Sequence, residues 1–282
     1  MGGLASVPSV RAGSAARRSR TGRAFRWGAV ATLLVVVGTA IAVFPLSRHD
    51  GLVVVRAVST VTFLAGTVTC WWTGMRTHGA ERLWRLLVGV MLLSCAVVAG
   101  AMTRDVIVSG AAIPRLTGLA MLLLLPWGVG LAGLLCYPTE PFDAALHTRQ
   151  RARELYWRIT ATIDSLIIVG ALFLLGWWMV LGGTLFETET GETTPLSTVI
   201  TVLAGLVLAV TVLLIATFRR ARRPLGLALL GGGILMFTTV VMLHLHALEY
   251  GRDSISNLLE IGMVTAPLLI GLAALLPAAD PR

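Results

Sequence analysis

Eight apolar runs, each near the length needed to cross a hydrocarbon layer, leave little of this chain for anything else. They are Trp27–Leu46, Leu52–Trp72, Trp84–Met102, Leu116–Tyr137, Thr162–Leu181, Leu196–Phe218, Leu225–His244 and Leu258–Leu276. A helix needs about 20 apolar residues to span a bilayer core. The longest polar stretch between runs, residues 138–161, is too short to be a soluble domain. Of the 282 residues 56% are hydrophobic and 13% are charged, with mean hydropathy +0.84. Soluble domains carry about 25% charged residues, so this composition belongs to a membrane protein. The expected fold is all-α and integral to the membrane, with eight transmembrane helices.

The charge pattern orients the runs. The chain has 23 arginines, no lysine and a net charge of +9. Arg11, Arg17, Arg18, Arg20, Arg23 and Arg26 precede the first run. Arg76, Arg82 and Arg85 follow the second, Arg149, Arg151, Arg153 and Arg158 the fourth, and Arg219, Arg220, Arg222 and Arg223 the sixth. With eight spans all of these fall on one side, which the positive-inside rule makes the cytoplasm. The segment "TLFETETGETTP" has three glutamates and no arginine and belongs outside. Both termini are then cytoplasmic, in a cytoplasmic (inner) membrane. Arginine placed for topology explains the basic balance, and no nucleic-acid partner is expected, because no basic surface alternates with stacking aromatics. Tryptophans at the ends of runs (Trp27, Trp71, Trp72, Trp84, Trp157, Trp177 and Trp178) suit the membrane–water interface.

An internal repeat organises the runs. "LPWGVGLAGLL" (Leu125–Leu135) aligns without a gap on "APLLIGLAALL" (Ala266–Leu276), with six of eleven positions identical. "STVTFLAG" (Ser59–Gly66) aligns on "STVITVLAG" (Ser197–Gly205) with one insertion, and the offsets of 138–141 agree. The chain therefore reads as two parallel four-helix repeats, residues 27–137 and 162–276, related by an axis along the membrane normal. A disordered basic N-terminus (1–26), a cytoplasmic connecting helix (138–161) and a short tail (277–282) complete the organisation. "TAIA" at Thr39–Ala42 also fits a signal-peptide cleavage site. The repeat needs the first run as partner of the fifth, so retention is expected.

Polar residues near the membrane are the candidate site residues, because a charge there is costly unless it is paired or used. Asp164 opens the fifth run, where it can cap the helix or latch to a neighbour. Arg56, Arg115, His244, His246 and Glu260 fall toward the outer face and can line a shallow polar pocket between the halves, or pair with one another at the surface. Pro126 and Pro267 break helices at matching places in the two repeats. No metal is expected: His244 and His246 are two apart, about 200° around a helix. Cys70, Cys95 and Cys136 lie inside runs as small buried hydrophobes, without metal or disulfide spacing. No facing central histidines offer a haem site, and no cofactor is expected. No catalytic motif is visible, so an enzyme is not expected.

"TIDSLIIVGALFLLGWWMVLG" (Thr162–Gly182) with Arg158, Asp164, Ser165, Leu174 and Trp177 resembles a helix in the N-terminal membrane regions of actinobacterial signalling proteins. These are of the GGDEF/EAL type and the histidine-kinase type. The end of the last run, "GLAALLPAADP", resembles the point where such regions give way to an output domain. No GGDEF or EAL active-site motif is present here, so neither activity carries over. The resemblance implies a free-standing membrane module that acts through other proteins.

The expected function is a non-enzymatic sensor-like or scaffold module that recruits partner proteins through segment 138–161 or the N-terminus. A scaffold at the division or sporulation septum is an alternative, and a small-solute transporter is the rival from another class. Self-association is compatible with either.

Overall fold

The computed structural model describes residues 9–109, 120–140, 195–218, 220–221, 223–249 and 257–277. Among them are seven helices: α1 (Ser9–Val43), α2 (Arg48–Met75), α3 (Ala80–Ser109), α4 (Ala120–Leu135), α5 (Pro195–Phe218), α6 (Pro224–Glu249) and α7 (Asn257–Leu275). Two extended dipeptides, β1 (Thr139–Glu140) and β2 (Arg220–Ala221), pair antiparallel after α4 and α5. The fifth apolar run, 162–181, and most of the connecting segment lie outside the described residues. The first residues of that segment, Thr139 and Glu140, are extended rather than helical.

Local sequence explains the helix boundaries. Pro45 has no N–H to continue α1, which ends at Val43. Ser47 caps α2: its hydroxyl accepts the Asp50 N–H at 3.2 Å and donates to Asp50 Oδ2 at 2.7 Å. Gly79, at φ 65°, supplies the left-handed residue that turns the chain from α2 into α3. Pro195 and Pro224 stand first in α5 and α6, where a missing N–H costs nothing. One boundary corrects the sequence reading. Residues 9–26, expected to be disordered, continue α1 as regular helix. They are rich in alanine and arginine, both good helix formers, and contain no proline.

Four helical stretches are long and apolar enough to cross a membrane: Gly22–Val43, His49–Met75, Ala80–Val108 and Pro224–Leu243. Pro126–Leu135, Ala204–Ile215 and Glu260–Leu275 are shorter apolar stretches. The surface agrees with this: Trp27, Leu33, Ile41, Phe44, Val61 and Val68 are all more than 60% exposed. In water so large an apolar surface would aggregate, whereas hydrocarbon solvates it. Threonine hydroxylas along the helices donate to the carbonyl four residues back, as Thr60, Thr67, Thr69, Thr211 and Thr265 do. That leaves few polar groups for lipid to meet. The coarse expectation, a helical membrane protein, holds.

Six helices close into a ring in chain order, from α2 through α3, α4, α5 and α6 to α7, which returns to α2. Helix α1 lies outside it, against α7 and α2. The ring encloses one apolar core, with Phe63 from α2, Leu92 from α3, Trp127 from α4, Leu208 from α5, Ile234 from α6 and Ile270 from α7. Phe237 joins the halves, edge to face with Phe63 and 5.4 Å from Trp127.

Candidate functional site

The described polar side chains gather at two opposite ends of the ring. At one end Arg56, in the third turn of α2, meets Glu260, in the first turn of α7. Arg56 Nε lies 3.9 Å from Glu260 Oε2. The two residues are 8% and 4% exposed, so the pair is withdrawn from solvent and lipid. Arg56 Nη1 and the Ser59 hydroxyl, one turn further along α2, are buried without a hydrogen-bond partner. A buried ion pair contributes little net stability, but removing one partner strands the other charge, at a cost of about 3–5 kcal/mol. The geometry is that of a latch between α2 and α7.

Four elements converge at the other end. Arg85, 1% exposed, donates through Nη2 to the Leu276 carbonyl at 3.1 Å. Arg223, just before α6, donates through Nη1 to the same carbonyl at 3.3 Å. Glu81, one turn before Arg85, pairs with it at 3.3 Å and accepts the Trp84 indole N–H at 3.0 Å. The Tyr137 ring lies 5.3 Å from the Trp84 ring, and its hydroxyl donates to the Arg223 carbonyl at 3.3 Å. These contacts tie the C-terminal end of α7 to α3, to the start of α6 and to the end of α4. Carbonyls at a helix C-terminus lack intrahelical partners, and cations there complement the dipole.

Of the sequence-predicted residues, the fold brings Arg56 and Glu260 together. His244 and His246 occupy the last turns of α6. Arg115 and Asp164 lie outside the described residues. Pro126 and Pro267 sit inside α4 and α7, which continue through them as helix. The Pro267 carbonyl oxygen lies 3.1 Å from where a Cβ on Gly66 would stand, so α2 and α7 touch backbone to backbone there. Sequence reading used Arg85 and Arg223 only to orient the chain and missed their convergence. The spacing of Glu81 and Arg85 was the available signal, since residues four apart on a helix face each other. Among the described residues, no group of three or more His, Cys, Asp or Glu is placed to hold a metal.

No protein-family model, curated protein or solved structure matches this chain. Its functional reading rests on residues and geometry.

Proposed function

We propose that this chain is a non-enzymatic, multi-pass membrane module that recruits partner proteins at its arginine-rich end and relays to that end a change made at the opposite one. The observation that carries the reading is the grip on α7. Arg56 holds Glu260 at its start, and Arg85 with Arg223 hold Leu276 just past its end. Between the two grips lies Pro267, which lacks the N–H that a regular turn would use and so removes one hydrogen bond from the helix. Releasing Glu260 changes the load on α7, and the Leu276 end meets the cytoplasm-facing arginines.

In this reading the chain has eight spans in two parallel repeats, with both ends cytoplasmic. The ring order supports it, because advancing three helices maps α2, α3 and α4 onto α5, α6 and α7. Packing supports it residue by residue. Gly66 of α2 approaches Pro267, while its counterpart Gly205 of α5 approaches Trp127, the neighbour of Pro126. Gly271 of α7 approaches Thr69 of α2, while its counterpart Gly130 of α4 approaches Leu208 of α5. Thr69 and Leu208 each stand three residues after the matched glycines. The pairing of β1 with β2 puts the ends of α4 and α5 on one side. A span over 162–181 is compatible with that arrangement. The resemblance to signalling membrane regions points the same way.

Transport is the weaker reading, because among the described residues Phe63, Trp127 and Phe237 pack together inside the ring. Proximity labelling in the native cell tests the proposal. The wild-type chain should mark a reproducible set of cytoplasmic proteins, and Glu260→Gln, compared at matched membrane level, should change that set. An unchanged set, or substrate-specific solute uptake by the purified chain in vesicles, would refute it.

A further inference from the structure

We infer that the arginine-rich end of the ring holds a phosphate group, clamped by Arg85 and Arg223. Two guanidiniums donate to one neutral carbonyl, that of Leu276, so their donor nitrogens lie within about 6 Å of each other. Like charges this close repel unless an anion stands between or beside them. Among the described residues Glu81 is the carboxylate recorded in contact with the pair, and it faces Arg85 alone. Among the described side chains, Arg85 is matched by Glu81, and Arg223, partly buried beside it, carries a positive charge that no described carboxylate meets.

A second observation points to a ligand. Arg85 Nε is buried and has no hydrogen-bond partner. A guanidinium offers five N–H donors in a planar fork; among the described residues those of Arg85 engage Glu81 and Leu276, and its Cζ lies 5.2 Å from the Trp84 ring centroid. Phosphate is the group whose oxygens accept from two guanidiniums at once in that geometry. A carboxylate has two oxygens for the same task, and Glu81 already engages Arg85. Arg223 is only partly buried, so it stands at the approach while Arg85 forms the floor. Trp84 and Tyr137 wall one side. The cluster lies at the ends of apolar helices, the depth at which lipid phosphates sit, and basic sites between helices there hold anionic headgroups. A lipid phosphodiester and free inorganic phosphate share this chemistry. The site stands whether or not α7 relays a signal.

The test is native mass spectrometry of the purified full-length chain in zwitterionic micelles, titrated with phosphatidylglycerol, phosphatidylcholine or inorganic phosphate. Wild type should retain one phosphatidylglycerol, with about tenfold preference over phosphatidylcholine, and Arg223→Gln should reduce that preference about tenfold. Arg82→Gln removes an exposed charge near the same end and should leave the preference unchanged. Saturable competition by inorganic phosphate would identify free phosphate as the better ligand of the same site, and no competition would assign the lipid. Arg85→Lys keeps the charge without the fork and should weaken retention if folded, while Arg223→Gln alone suffices if it is not. Equal losses in Arg82→Gln and Arg223→Gln, or retention of neither lipid nor phosphate by wild type, would overturn the assignment.

Discussion

Phe63 of α2 and Phe237 of α6 meet edge to face inside the ring, their centroids 5.8 Å apart and their planes at 83°. The two belong to different halves of the chain, and Phe63 is 2% exposed. Their contact joins residues from both halves of the sequence into one apolar core. Phe63→Ala should destabilise the purified chain by about 3–5 kcal/mol through the cavity it leaves. Thermal unfolding in detergent measures this.

The latch between α2 and α7 makes a sharper prediction. Glu260→Leu should cost about 3–5 kcal/mol, since it strands the buried Arg56 charge, and Arg56→Leu should also destabilise the chain. The double variant should be more stable than the sum of the single losses predicts. A double-mutant cycle on unfolding free energies reads the difference, and simple additivity would mean that the two side chains do not interact.

Close approach of backbones separates glycines that look alike in the sequence. In "GGG" at Gly231–Gly233, a Cβ on Gly233 would lie 2.8 Å from the Ala266 carbonyl oxygen and 2.7 Å from Ile270 Cγ1. A Cβ on Gly232 would meet nothing within 4 Å. Gly233→Ala should therefore push α6 from α7 and lower stability by about 1–3 kcal/mol, while Gly232→Ala should be silent. Comparing the two melting temperatures checks it, and Gly66→Ala should behave like Gly233→Ala.

Topology is tested by reporter fusions. Sites after Gly51, Glu189 and Gly251 should read outside, and sites after His78, Arg149 and Arg222 inside. Reversal at two of these sites would break the eight-span reading.

Much of the fold was legible in the runs themselves. Hydrocarbon demands a minimum apolar length, so Ala80–Val108 and Pro224–Leu243 could be read as spans before any neighbour was known. Pro45, Ser47, Gly79 and Pro224 set helix ends by local chemistry alone. Pro126 and Pro267 stand in matching strings, and that match is what suggested a repeat. The helical course of residues 9–26 was misread because polar, basic sequence was taken as unstructured, although alanine and arginine favour helix. What the sequence could not determine was partnership. Apolar residues surround most of these helices on every side, so no stripe says which face meets a neighbour and which meets lipid. Only the closed ring brings Arg56 to Glu260, and only it sets Arg85 beside a carbonyl 191 positions away. Both contacts join residues distant in the chain, and their physical reason is packing: the ring buries these charges, and a buried charge must find what the other helices offer.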